Sequence, residues 1–292
     1  MTHRRYQRSL LLLLLPFLFG VTLLVVAPAI LSLGLAFTHY DGLSAPSWAG
    51  WANFQALATN QLFGIAVVNS LLFVAISVPL RTLLTFGLAL LFARPRRGVG
   101  LYRAAVYLPT VVPGVAYALI WLWILNPLYG PLNLLLGSVG LPTPAWLVDP
   151  RTALAAVALA AVFQLGEGFV ILLAGLQEIP DEYYETATLD GAGRLAMVRA
   201  IVLPLLTPWL LLVVLRDLIV SVQSSFTPVL LMTGGGPYYA TLLVPLLIYQ
   251  TAFERLRFGE GAAMTLLVFL GVGLLIALTY RLFGGWGYDE AV

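Results

Sequence analysis

From Ile65 to Ala93 the chain reads IAVVNSLLFVAISVPLRTLLTFGLALLFA, with a single charge, Arg81. About 20 apolar residues suffice to carry a helix across roughly 30 Å of hydrocarbon. This run exceeds that length, and a backbone surrounded by lipid is satisfied only if it bonds to itself as a helix or closes into a barrel. The stretch therefore predicts a transmembrane helix, and the class of the protein turns on whether its neighbours repeat it.

They do. Comparable runs cover 9–38, 104–125, 152–176, 200–224 and 261–280, each bounded by charges, Pro/Gly turns or aromatic residues suited to a membrane interface. The expectation is an all-α polytopic bundle of about six spans, forming one transmembrane domain over 1–292. Composition agrees: 61% hydrophobic and 10% charged residues, with a mean hydropathy of +0.96, lie far from the roughly 25% charged usage of soluble domains. The first run follows Arg4, Arg5 and Arg8 and outlasts the roughly 7–15 apolar residues of a secretory signal, so it is read as a retained anchor.

Every basic side chain is Arg. With the N-terminus placed inside, Arg4, Arg5, Arg8, Arg94, Arg96, Arg97, Arg103, Arg194, Arg199 and Arg281 lie inside and Arg151, Arg255 and Arg257 outside. That bias follows the positive-inside rule and predicts a multi-pass membrane protein with both termini cytoplasmic. Segment 226–258 is apolar but interrupted by Thr233-Gly234-Gly235-Gly236-Pro237, which no lipid-exposed helix tolerates; it is read as external and partly re-entrant.

Missing residues exclude functions. Without Lys there is no P-loop and no Schiff base, and without Cys no thiol nucleophile, disulfide or thiolate-held metal. Only His3 and His39 are present, so a catalytic triad has little to draw on. No metal site, no cofactor on this chain, no enzymatic activity and no nucleic-acid binding are expected. The Arg clusters sit at the ends of spans, without the interleaved aromatics of nucleic-acid binders.

The most polar internal loop, 178–204, begins Glu178-Ile179-Pro180-Asp181-Glu182-Tyr183-Tyr184-Glu185-Thr186-Ala187-Thr188-Leu189-Asp190-Gly191-Ala192-Gly193. Pro180 suits the start of a helix, and Asp181, Glu182 and Glu185 suit its positive N-terminal end. Tyr184, Ala187, Thr188 and Gly191 recur at i, i+3, i+4 and i+7 as a stripe of mostly small residues on which another protein could approach. A solvated connector explains the charge pattern equally well.

The register of this loop resembles the EAA loop of permeases in binding-protein-dependent ABC importers. Glu185, Ala187, Gly191 and the run Ile201-Val202-Leu203-Pro204 fall at that motif's positions, with Thr186 where Ala is usual. Ile179-Pro180-Asp181-Glu182, Asp190-Gly191-Ala192-Gly193, Tyr107-Leu108-Pro109 and Thr233-Gly234-Gly235-Gly236-Pro237 with Thr241 are similar to the carbohydrate-uptake branch. They match in particular the first of the two permeases in maltose-type systems. The resemblance implies a MetI-like type I permease fold and a coupling helix carrying Tyr184, Glu185, Ala187, Asp190, Gly191, Leu203 and Pro204. It also implies a heterodimer with a second permease, two cytoplasmic ATPase subunits that hold ATP and Mg, and an external substrate-binding protein delivering a sugar.

Charges inside spans are costly and face the bundle interior or a water-filled path. Here these are Arg81, Glu167, Arg216 and Asp217. Two positive and two negative groups can cancel as packing salt bridges. Alternatively Glu167, Arg216 and Asp217, with Gln223 and Phe226 farther along, line a substrate path suited to hydroxyl-rich, uncharged molecules, with Arg81 as charge partner. An ion-coupled secondary transporter would use such charges too. It has no need of the polar loop's register, and a membrane-embedded enzyme would lack His, Cys or Lys beside Glu167 and Asp217.

Overall fold

The computed structural model describes residues 3–283. The C-terminal end, 284–292, lies outside the described residues, as do the side chains of His3, Arg4, Arg5 and Arg8. Four helices are long and apolar enough to cross a membrane: Leu12–Leu35, Gln61–Phe92, Arg194–Gln223 and Phe258–Leu282. Two helix pairs, Val99–Val111 with Gly114–Ile124 and Pro150–Val162 with Gly166–Gln177, bring the number to six if each pair is one span.

Those two pairs differ from the unbroken spans expected at 104–125 and 152–176. The third span bends by 103°. Its cause is written at Pro113: a residue before proline is pushed out of the helical region, and Val112 is accordingly extended at φ −68°, ψ 128°. The fourth bends by 49° at Phe163–Leu165, where no proline stands. Two other prolines act more gently. Pro204 and Pro28 cannot donate to the preceding turn, and each is led into by a π-helical turn, Val198–Val202 and Thr22–Val26, that absorbs the missing bond.

The described chain divides into two compact units, one holding the described residues up to 61 with 248–270, the other holding 62–247 with the described residues from 271. In the first, a short antiparallel ladder pairs Thr38 with Trp48 and His39 with Ser47. Asn53, buried, ties the chain before it by donating to the carbonyls of Ala36 (2.8 Å) and Thr38 (2.9 Å). Phe37 stacks on Trp48 and meets Trp51 and Phe54. The turn inside the ladder is organised by Asp41, whose carboxylate accepts from the Leu43 and Ser44 amides and the Ser44 hydroxyl. These bonds hold its pKa down to about 2.

In the second unit, helix Leu203–Gln223 packs on Gly166–Gln177, which Val99–Val111 also flanks. Their core is Ala89, Phe169, Leu172, Leu176, Val202, Leu206 and Val213. Close approach depends on glycine: a Cβ on Gly175 would lie 2.6 Å from the Trp209 ring, and one on Gly166 2.9 Å from the Tyr107 backbone. The segment after Phe226–Met232 turns through the Gly-Gly-Gly-Pro sequence. Thr233 and Thr241 share a hydroxyl bond of 2.7 Å across the turn, and Asn69 donates to the carbonyls of Tyr239 and Leu242. So tied, Tyr238 and Tyr239 both hold positive φ, and Tyr238 is 91% exposed.

Candidate functional site

Two regions gather the residues singled out by sequence. The first is the polar loop. Its helix runs Asp181–Leu189, with Pro180 just before it and Asp181 and Glu182 in its first turn. Its C-terminus closes as a Schellman motif. The Ala192 amide donates to the Ala187 carbonyl (2.9 Å), and the Gly191 amide donates to Thr188 (3.1 Å), with Gly191 at φ +76°. Only glycine adopts that conformation without strain, so a sharp exit follows the helix.

The stripe read along one face is turned partly inward. Tyr184 is half-buried against the core that includes Ile179 and Val202. Burial pushes its phenol pKa above the usual range, opposed by the charge of Arg94. Tyr184 is thus an anchor on the chain's own bundle. Ala187 is half-buried beside it, while Glu185, Asp190, Gly191, Leu203 and Pro204 are exposed. Two residues that sequence reasoning passed over stand out here: Leu189 is 88% and Leu195 63% exposed.

The second region is the charge network at the break in span four. Arg81 and Asp217 are fully buried and face each other, Nη1 to Oδ1 at 3.5 Å. Arg81 Nη2 also donates at 2.7 Å to the Ala161 carbonyl in the last turn before the break, where the Gln164 amide reaches the same oxygen at 3.3 Å. Tyr117 does the same for Ala160 (2.7 Å), and Thr110 accepts from the Gly166 amide (3.0 Å) on the far side. A broken span needs such replacements for its backbone bonds. Tyr117, Thr110 and the carbonyls were beyond sequence reasoning, because none lies near Arg81 along the chain.

Arg216 completes the network. Its Nη1 donates to Asp217 Oδ1 at 2.7 Å, and its Nη2 is paired with Glu167 Oε2. Glu167 stands in the first turn of Gly166–Gln177, where the helix dipole favours an anion. The four charges, carried on three spans, meet in the order Glu167, Arg216, Asp217, Arg81. Beside Arg81 lies a cavity of about 20 Å³, room for one water, lined also by Tyr117, Gln164, Ser221, Ser224 and Ser225. Gln223 and Phe226 lie farther along the same stretch, Gln223 exposed and Phe226 half-buried. Among the described residues no cluster of His and carboxylates could hold a metal ion.

Residues 82–285 match the family model described as "Binding-protein-dependent transport system inner membrane component". Among curated relatives, "Probable ABC transporter permease protein YesP" of Bacillus subtilis is 34% identical over 94% of this chain and 90% of its own length. The "Trehalose/maltose transport system permease protein MalF" of Thermococcus litoralis is 30% identical over 95% and 94%. Among solved structures, a chain of a bacterial ABC transporter that imports the acidic polysaccharide alginate superimposes with a TM-score of 0.80, covering 96% of each chain at 21% identity.

Proposed function

Because the chain belongs to the family of binding-protein-dependent transport system inner membrane components, we propose that it forms half of the path by which an ATP-driven importer carries a sugar across the bacterial inner membrane. As an ABC permease it is a multi-pass transport subunit and not an enzyme; in this family ATP is hydrolysed on separate subunits. An ion-coupled carrier is set aside by that membership. The sugar reading is supported by relatives named for trehalose and maltose and for diacetylchitobiose. The remaining partners are a second permease, two cytoplasmic ATPases holding ATP and Mg, an external binding protein and the surrounding lipid.

The observation that carries the mechanism is the loop 178–204. A polar helix is anchored on the bundle by Tyr184 and ended by a glycine turn, with Leu189 bare at its end and Leu195 bare on the short helix that follows. On this reading it lies in the cytoplasm with both termini, and seats Glu185, Ala187, Asp190 and Gly191 in a groove of the ATPase. The following helix then transmits movement through Leu203 and Pro204 to the span that bears Arg216 and Asp217. Closure of the ATPase pair rocks the spans between inward-open and outward-open states.

The test is uptake of labelled oligosaccharides into proteoliposomes holding the assembled importer. Uptake is expected to need both ATP and the external binding protein. Glu185→Arg is expected to abolish uptake while the chain remains membrane-inserted and its ATPase partners still hydrolyse ATP. Uptake without ATP, or undiminished uptake in the variant, overturns the reading.

A further inference from the structure

The charge network at the break in span four is not used up by the contacts it makes. Asp217 is fully buried, yet only its Oδ1 has donors, from Arg81 and Arg216; Oδ2 has no partner, and neither has Arg81 Nε. A buried carboxylate oxygen without a donor is costly, so a donor on a neighbouring side chain within reach is drawn to it. Arg216, meanwhile, divides its planar fork between two acids, Nη1 on Asp217 and Nη2 on Glu167. That fork is shaped to grip one carboxylate with two parallel bonds.

Exposure grades along the network. The Arg81 and Asp217 side chains are 3% and 0% exposed, Arg216 21% and Glu167 52%. One end is a fixed socket and the other is open. The pairing with a half-exposed Glu167 contributes little, since such ion pairs are weakened by their surroundings. Moving Nη2 from Glu167 to Asp217 Oδ2 would trade that weak pairing for satisfaction of a buried acceptor. The same guanidinium thus has two pairings open to it, one shared between two acids and one on Asp217 alone. Backbone movement has little room there: a Cβ on Gly168 would lie 3.2 Å from Val213, so the two helices are already close-packed.

We propose that Arg216 is a two-position residue. With the path empty it bridges Glu167 and Asp217; during transport it releases Glu167 and closes both N–H groups on Asp217. The bare Glu167 carboxylate then accepts hydrogen bonds from the hydroxyls of an uncharged, polyhydroxylated substrate. This inference rests on the importer reading above and assigns the substrate class that the network selects. Both guanidinium charges stay matched by carboxylates of this chain in either position, so no cation here is left to hold an anionic sugar. Arg81 and Asp217 act as positioning residues.

The test labels Glu167 in the assembled, detergent-purified importer with a water-soluble carbodiimide and glycine ethyl ester, read by mass spectrometry. In the nucleotide-free wild type Glu167 is expected to react slowly, covered by Arg216. Arg216→Gln is expected to raise its reactivity several-fold in that same state. Vanadate trapping with ATP is expected to bring the wild type to the reactivity of the variant. Should Arg216→Gln fail to assemble, Arg216→Lys serves, because one ammonium left on Asp217 cannot also cover Glu167 with a fork. Reactivity unchanged by either substitution, or unchanged by trapping, overturns the proposal. Wild-type uptake run alongside separates the cases: if uptake needs no ATP the importer reading fails, whereas ATP-driven uptake with invariant Glu167 labelling sinks only the two-position arginine.

Discussion

The surface helix Asp181–Leu189 and the buried network around Asp217 both consist of polar groups in an apolar protein, and they are built on opposite principles. The helix is local. Pro180 precedes it, the acids of its first turn answer its dipole, and a glycine closes it, all within a dozen residues. The network is distant: Arg81 and Asp217 are 136 residues apart along the chain, and Arg81 reaches Ala161 across 80. A local device can lose one member and keep its shape, whereas a buried network that loses one leaves a charge with nowhere to go.

The sharpest way to break that contrast is Asp217→Ala. It strands Arg81 in the core, and removing one partner of a buried ion pair costs about 3–5 kcal/mol. Thermal unfolding of the purified chain in detergent is expected to show loss of most folded protein, and the paired change Arg81→Met with Asp217→Leu is expected to recover much of it. No recovery would show that the network's value lies in more than charge cancellation.

A smaller effect separates packing from charge. Gly175→Val drives a side chain into the Trp209 ring and is expected to cost about 1–3 kcal/mol through overpacking. The same measurement reads it, and Trp209→Ala in the same chain should relieve part of the loss. Smaller again is Gly191→Val at the end of the surface helix. A Cβ there meets nothing within 4 Å, so only the left-handed backbone is penalised, by about 1–2 kcal/mol. The chain should insert and fold, while sugar-stimulated ATP hydrolysis by the assembled importer falls. Equal loss of folding from Gly191→Val and Asp217→Ala would erase the distinction.

The least effect belongs to Asp41, another locally built device. Its pKa is depressed to about 2 by the amides and hydroxyl it accepts from. A depressed carboxyl contributes stability that is complete above the ordinary value near 4 and is lost as pH falls through about 2. Amide hydrogen exchange at Leu43 and Ser44, corrected for intrinsic rates, is expected to accelerate across that window, and Asp41→Asn should flatten the response.

Legibility followed the same division. The apolar runs, the Gly-Gly-Gly-Pro turn and the polar helix that starts after Pro180 and ends at Gly191 could be read from the chain because each is a pattern of neighbours. The bend of the third span was equally written, at Pro113, and was passed over in favour of hydropathy, which is blind to a proline between two apolar stretches. The inward turn of Tyr184 was not written, because an i, i+3, i+4 stripe states which residues share a face and not what that face meets.

By itself the sequence determined a membrane-spanning helical class, the places where polar segments punctuate it, and the four intramembrane charges that had to find partners. Those follow from solvation, since each residue's cost in hydrocarbon is a property of that residue. Tertiary structure alone decided that the charges form a single chain from Glu167 to Arg81, that the break in span four is held by Arg81, Tyr117 and Thr110, and that one oxygen of Asp217 stays unclaimed. Such facts depend on which helices touch, and contact between residues more than a hundred positions apart is settled only when the whole bundle packs.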